Sequence, residues 1–530
     1  MIIGEKLWHK GVTKDMGVLE IDYRHFYTYK DMPVNVYESL QNSANINPYQ
    51  IAFVDNDENS YTFQEFLKLV DQMAYVLNHT YKIKHGQHVG LLLYTDITFC
   101  ISFYAIAKLG AVCVPLPTKY RQQEVAALVD KAYLDLLIYD EDFKTWIRKD
   151  KYKTIELNHH YQRHALETYL NISEKYDMKN EGQLEDEIIL MFTSGTTSQS
   201  KGVILKNYNV MHAIITYQRI LEITPDDKTM IPIPIYHITG LVALLGLFVH
   251  SQGTIYLYRR YDARHILECI QKNNITFMHG SPTVFSKLLD YKDDFKELRS
   301  LRSLGCGSSY TPLTKMKEFH AWLPYTKFQV IYGMTETASP ALICPYDNPT
   351  SIYATAAGLL IPGMQLKIID ENGHEVEPGE VGQIWIKGTN VTSRYYNLVS
   401  DAIDEDYWLD TGDMGYYNED QYVFIVDRKK DMINRGGEKI WCKDVEEAIN
   451  THPMVKESAV VGIHSDIYGE VAGAVVIKKG KVSEEELKKY LKSELASFKI
   501  PEKIVFVDEI YKTQGLKVDK KRIRTLFDGD

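Results

Sequence analysis

Thr193-Ser194-Gly195-Thr196-Thr197-Ser198-Gln199-Ser200-Lys201-Gly202 lies between two apolar runs, Ile188 to Phe192 before it and Val203 to Leu205 after it. The first run reads as a buried strand, so a flexible, hydroxyl-rich loop that closes on a lysine is rooted in a sheet. Backbone N–H groups and hydroxyls in such a loop can converge on phosphate oxygens while the lysine adds positive charge. The pattern is not a Walker A loop. That motif needs glycine directly before the lysine and Ser or Thr after it, where this chain has Ser200 and Gly202. By itself the segment also suits an ordinary polar connection.

Working outward, helical and strand patterns alternate, which predicts α/β layers. Residues 62–80 carry helical spacing (Phe63, Phe66, Leu67, Val70, Met73, Ala74, Leu77), followed by Val89 to Leu93 as a buried strand. A helix near 97–108 leads into a strand at Ala111 to Pro115, and a helix near 263–272 leads into one at Ile275 to Met278. Such units favour parallel strands covered by helices. From about residue 364 the pattern turns β-rich, with Leu366 to Ile369 and Gln383 to Ile386 separated by Asn372-Gly373 and Pro378-Gly379 turn signals. The charged stretch Asp427 to Asp431 marks the domain boundary expected from the sequence. The predicted architecture is a large unit over 1–429, with helix-covered, partly parallel sheets and a β-rich part, and a small α+β unit over 430–530.

At 530 residues the chain exceeds one ordinary domain, and 45% hydrophobic with 25% charged residues fits a globular protein with large cores. A formal net charge of −11 argues against broad nucleic-acid binding. Six scattered cysteines (Cys100, Cys113, Cys269, Cys306, Cys344, Cys442) form no CxxC pair and read as reduced thiols. The N-terminus lacks a signal-peptide pattern, and the longest strongly apolar run, Gly240 to Val249, is too short to span a bilayer. A cytoplasmic protein without an integral membrane segment is expected.

Downstream, Lys327 to Ile331 reads as a strand ending in Tyr332-Gly333-Met334-Thr335-Glu336. Loops beyond strand ends are where α/β sheets place ligands. Here an aromatic ring can stack on a base, and a carboxylate can hold Mg²⁺ beside phosphates. Taken in order, the loop at 193–202 and this pentapeptide resemble the Thr-Ser-Gly-Thr-Thr-x-x-x-Lys-Gly and Tyr-Gly-x-Thr-Glu motifs of the adenylate-forming superfamily. That superfamily comprises acyl- and aryl-CoA synthetases, peptide-synthetase adenylation domains and beetle luciferases. Trp408 to Asp413, Asp427 to Lys430 and Tyr511 to Lys520 match further motifs, and the resemblance runs from about residue 35 to 525. Ser198 stands where the family commonly has Gly and Ser200 where it has Pro. Leu516 replaces a glycine and Tyr511 a proline in the C-terminal motif.

The resemblance implies roles for individual residues. Thr193, Ser194, Gly195, Thr196, Thr197 and Lys201 would hold the ATP phosphates, and Glu336 with Thr193 would ligate Mg²⁺. Tyr332 and Thr335 would border the nucleotide, and Gly307 and Ser308, in Gly305 to Tyr310, match the adenine loop. Asp413 and Arg428 would hold the ribose, Lys517 would be the catalytic lysine, and Lys430 the interdomain hinge. Gly436 and Gly437, within Asn434 to Ile440, resemble the hairpin that lines the thiol tunnel.

Ile233 to Gly240 bears on the acid. Amino-acid-activating relatives carry an aspartate at the position of His237, whereas residues 231–245 contain no carboxylate to pair an ammonium. The segment resembles that of acyl- and aryl-CoA ligases, whose histidine lies near the substrate carboxylate, so His237 joins Lys517 as a catalytic candidate. The implied function is an ATP-dependent carboxylic acid–CoA ligase of fatty or aromatic acid metabolism, AMP-forming, with ATP, Mg²⁺ and coenzyme A. Two alternatives stay open: loading of the acyl group onto a carrier-protein phosphopantetheine, and a degenerate nucleotide-binding protein.

Overall fold

The computed structural model describes residues 1–149, 151–157, 178–193, 200–260, 262–513 and 517–528. Phe192 pairs with Gly202 and Leu190 with Ile204, antiparallel, so the quoted loop is a hairpin connection rather than a strand-to-helix turn. Ser194 to Ser198, like Leu516 in the C-terminal motif, lie outside the described residues.

That hairpin forms one side of a six-stranded sheet in the order Gly202–Lys206, Glu187–Phe192, Val112–Pro115, His88–Leu92, Leu136–Asp140, Lys153–Leu157. From Glu187–Phe192 onward every neighbour is parallel. The expected helices cover it. Phe63–Tyr75 starts in a capping box between Thr62 and Glu65 and buries Phe63, Phe66, Val70 and Met73. Ile97–Lys108 starts on the Asp96 side chain and is buried along its whole length. Even Lys108 is enclosed, its ammonium 2.8 Å from the Asp71 carboxylate. Each large apolar side chain so buried contributes on the order of 1.5–3 kcal/mol.

A second sheet pairs Phe277–Gly280, Ser303–Cys306 and Lys327–Tyr332 in parallel and continues antiparallel through Leu342–Ile343 and Leu359–Leu360. Its first strand starts two residues later than the apolar pattern suggests. Asn274 ends the preceding helix in the left-handed conformation (φ 54°), and the Ile275 N–H bonds back to the Ile270 carbonyl at 3.2 Å. A four-stranded sheet of Lys228–Met230, Thr254–Tyr256, Ile51–Val54 and Ser60–Thr62 completes this part. The apolar run Gly240 to Val249 forms buried π- and α-helical turns, Thr239–Gly246 and Leu247–His250.

The β-rich part is a five-stranded antiparallel sheet of Ile2–Ile3, Met364–Ile369, Gly382–Gly388, Leu409–Tyr417 and Val423–Arg428. The extreme N-terminus supplies its edge, a pairing across more than 360 residues that periodicity does not reveal. Beyond it, Ile433–Arg435, Glu438–Ile440, Val455–Ser465, Gly469–Lys478 and Lys503–Phe506 form the C-terminal sheet. Helices Cys442–Asn450 and Glu484–Glu494 pack on it.

Candidate active site

Ends of strands from both large parallel sheets open onto one cavity of about 460 Å³. Thr193 follows Glu187–Phe192, Gly307 and Ser308 follow Ser303–Cys306, and Gly333 to Glu336 follow Lys327–Tyr332. The placement is that expected of ligands in α/β sheets. Lys201, His237, Arg428 and Lys517 line the same cavity. Buried Asp413 adjoins that lining through its ion pair with Arg428, and half-buried Tyr332 through its hydrogen bond to Asp413.

Antiparallel pairing places Asp413 directly opposite Arg428. The guanidinium lies 3.2 Å from Asp413 Oδ1, and the Tyr332 hydroxyl donates to Oδ2 at 2.6 Å. Burial raises the Asp413 pKa, while Arg428, Tyr332 and Lys517 oppose that rise. Glu336 Oε1 accepts from the Tyr395 hydroxyl at 3.1 Å. Its other oxygen has no protein partner among the described residues. Nor do the described residues hold a cluster of three or more His, Cys, Asp or Glu. One carboxylate beside a hydroxyl suits Mg²⁺, which keeps waters and leans on substrate phosphates.

The turn after Tyr332 is tight. A Cβ on Gly333 would come within 1.6 Å of the Ser339 carbonyl oxygen, so only glycine fits. Ser339 itself has φ 100°, a strained non-glycine conformation of the sort that clusters at functional sites.

Lys201 Nζ lies 3.3 Å from Ser400 Oγ and 4.8 Å from the Tyr395 ring centroid. The Thr193 N–H bonds the Lys201 carbonyl at 2.9 Å and closes the loop at its base. Ser200 is buried, and its carbonyl accepts from the Lys131 ammonium at 2.5 Å. The departure from proline at this position therefore stands in an anchored backbone.

Lys517 is carried on a short returning segment: Thr513 N–H bonds the Lys517 carbonyl at 2.7 Å and Asp519 N–H the Tyr511 carbonyl at 2.8 Å. The ammonium points into the cavity, where desolvation first and Arg428 second lower its pKa, against Asp413 and Glu336. Burial, reinforced by Lys517 and Lys119, pushes His237 down to about 4, so its imidazole is neutral at neutral pH.

Lys430 is exposed, in the short helical turn Lys429–Asp431, and lies outside the cavity lining. Gly436 and Gly437 form the turn of the Ile433–Arg435/Glu438–Ile440 hairpin with φ 58° and 100°, conformations that favour glycine. The hairpin is exposed and away from the cavity lining, so the structure brings Lys517, not these glycines, to the site. Contacts across the seam hold that arrangement. Lys443 Nζ donates to the Ile425 carbonyl at 2.7 Å and sits 4.0 Å from the Tyr310 ring centroid. Buried Cys442 donates its N–H across the seam to Asp427 Oδ2 at 2.7 Å, and its thiol to the Asp431 carbonyl on its own side at 3.1 Å.

The family model for AMP-binding enzymes matches residues 40–396, and that for the AMP-binding enzyme C-terminal domain matches residues 444–517. The chain belongs to the AMP-binding enzyme family. A 2-succinylbenzoate–CoA ligase of Bacillus cereus (strain AH820) is 30% identical over 495 residues, 92% of this chain and 98% of that protein. The structure of ATP-bound MatB from Rhodopseudomonas palustris matches with a TM-score of 0.87 at 26% identity, covering 94% of this chain and 99% of that one. The o-succinylbenzoate CoA synthetase of Bacillus subtilis, in complex with its acyl-adenylate intermediate, matches with a TM-score of 0.81 at 27% identity, over 92% and 97% of the two chains.

Several cavity residues of this AMP-binding enzyme carry no sequence signal. Tyr217, from the helix Asn207–Leu221, shares a 2.8 Å hydrogen bond with Ser339 Oγ. Tyr395 reaches Glu336 from a loop 59 positions away. His279 and Ser281 enter from the end of the strand Phe277–Gly280. Only tertiary folding brings them together. Among the described residues no helix is long and apolar enough to cross a membrane.

Proposed function

We propose that the protein is an ATP-dependent, AMP-forming carboxylic acid–CoA ligase acting through an acyl-adenylate. The observation that carries this reading is the meeting of Lys517, His237 and Glu336 in one cavity beside the Asp413–Arg428 pair. Kinship to a 2-succinylbenzoate–CoA ligase supports coenzyme A as the acceptor.

In this reading the Asp413 carboxylate accepts hydrogen bonds from the ribose hydroxyls, and Arg428 keeps that carboxylate charged. Gly307 and Ser308 border the adenine, with Tyr332 and Thr335 alongside. Thr193, Lys201 and the loop residues Ser194, Gly195, Thr196 and Thr197 hold the phosphates. Glu336 with Thr193 would hold Mg²⁺, which neutralises phosphate charge. A carboxylate oxygen of the acid attacks the α-phosphorus, the bond to the bridging oxygen breaks, and pyrophosphate departs with the electron pair. Lys517 donates hydrogen bonds where the carboxylate and α-phosphate oxygens crowd their negative charge together. Neutral His237 adjoins the acid without adding a competing charge.

Rotation of the C-terminal part about Lys430 then withdraws Lys517 and brings Gly436 and Gly437 inward. The thiolate of coenzyme A attacks the acyl carbon, the acyl–phosphate C–O bond breaks, AMP leaves, and the thiol proton passes to solvent.

Acid-dependent ATP–pyrophosphate exchange tests the first step. Lys517→Ala should lower exchange by about a hundredfold or more while thioester formation from supplied acyl-adenylate proceeds. Equal loss of both half-reactions would sink the assignment of Lys517. Thioester formation that ignores free coenzyme A and needs a phosphopantetheine-loaded carrier would overturn the choice of acceptor.

A further inference from the structure

Tyr395 touches two of the charged groups that line the cavity. Its hydroxyl donates to Glu336 Oε1 at 3.1 Å, and its ring centroid lies 4.8 Å from the Lys201 ammonium. All three residues line the cavity, and Tyr395 is only 5% exposed. One neutral ring thus holds a carboxylate at its edge and an ammonium over its face.

Backbone bonds in which the phenol takes no part fix the position of that ring. Tyr395 bridges Val203 antiparallel, and the Tyr396 N–H bonds the Gly202 carbonyl at 2.7 Å. Three residues before Tyr395, the Thr392 N–H bonds the Glu336 carbonyl at 2.7 Å, and the Thr392 hydroxyl donates to the Ile204 carbonyl at 2.6 Å. The segment 392–396 is therefore tied both to the strand Gly202–Lys206 and to the short turn Thr335–Thr337 that carries Glu336. A change of the Tyr395 side chain leaves these ties in place.

A carboxylate can offer a metal one oxygen or both. Here the phenol occupies Oε1, which leaves Oε2 as the oxygen for a cation. Mg²⁺ demands a near-ideal octahedron, which the narrow bite of a bidentate carboxylate distorts. Ca²⁺ is larger and takes carboxylates through one oxygen or two in a flexible shell. Lys201 meanwhile rests on the ring and on Ser400 Oγ and makes no ion pair with Glu336, so it does not compete with a cation for that carboxylate.

We infer that Tyr395 is a positioning residue that restricts Glu336 to one oxygen toward the metal, and so favours Mg²⁺ over Ca²⁺, while its ring face holds Lys201 apart. This rests on the ligase reading above, in which Glu336 holds Mg²⁺ beside the ATP phosphates. Equilibrium binding of ATP to the full-length protein tests it, measured by titration calorimetry with no acid present and therefore without turnover. The titrations are run with Mg²⁺, with Ca²⁺, and with EDTA and no divalent cation.

Tyr395→Phe removes the phenol bond and keeps the ring face. Its ratio of Mg²⁺-supported to Ca²⁺-supported ATP affinity should fall about tenfold below that of the wild type, while its metal-free affinity matches the wild type. Tyr395→Leu removes both contacts, so the ratio should fall in the same way and metal-free affinity should drop several-fold as well. Dissociation constants do not depend on how much of a variant folds. A wild-type ratio in both variants, or a loss in Tyr395→Phe that is equal under all three conditions, would overturn the inference and leave the ligase reading intact. Wild-type ATP binding that Mg²⁺ does not strengthen would overturn the metal role of Glu336 together with the inference, and no ATP binding at all would overturn the ligase reading too.

Discussion

The Asp413 carboxylate shows how closely one residue's charge is held. Burial pushes its pKa up, and three neighbours, Arg428, Tyr332 and Lys517, push it back. In its proposed role as acceptor for a ribose the carboxylate serves only while ionised, and each neighbour helps keep it so. Tyr332→Phe removes one donor without removing the ring. The KM for ATP should then rise roughly tenfold, and the rise should steepen as pH falls, because the weakened carboxylate protonates sooner. Initial rates against ATP over a descending pH series check this. A KM matching the wild type throughout would show that the phenol plays no part.

Among the elements, much was legible because local chemistry decided it. The Thr62–Glu65 capping box and the Asp96 cap begin their helices where the apolar spacing begins. The strands flanking the 193–202 loop fall on the two apolar runs. What escaped was non-local: the N-terminal edge strand Ile2–Ile3, the facing of Asp413 with Arg428, and the entry of His279 and Ser281 into the cavity. Motif matching grouped the nucleotide residues, but nothing along the chain said that Tyr217 and Ser339 would meet behind them.

The hairpin Met16–Ile21/Arg24–Tyr29 is another such case, tied to the helix Asn207–Leu221 through His212. That ring bonds Thr28 Oγ1 and the Pro362 carbonyl, each at 2.8 Å, and burial pushes it down to about 4. Its folded pKa lies below the unfolded value, so its contribution is fully present above about pH 6.5 and is lost as pH falls from there toward 4. The loss amounts to about 3 kcal/mol at most. In urea unfolding, His212→Gln should show a pH dependence of stability shallower by about one proton across this window. An unaltered slope would mean that the ring charges freely in the folded state.

For the whole molecule, the two large parallel sheets converge on the cavity, and the C-terminal sheet delivers Lys517 into it. The seam between the parts carries polar contacts: Lys443 on Ile425 and Tyr310, the Cys442 N–H on Asp427, and Lys439, Lys456 and Lys512 on Glu371, Asp290 and Thr283. Polar contacts of this kind suit a seam that parts, as the proposed rotation at Lys430 would require.

All six cysteines are unpaired and buried, but Cys442 alone among them lies at that seam, its N–H bonded across it to Asp427 and its thiol to Asp431 on its own side. Its thiol is consequently a built-in clock. Alkylation by a small reagent, followed by peptide mass spectrometry, should be slow at Cys442 in the resting enzyme and several-fold faster once ATP and a competent acid have formed the adenylate. The other five thiols should keep their resting rates, and a Cys442 rate that adenylate formation leaves untouched would mean that the seam stays shut through turnover.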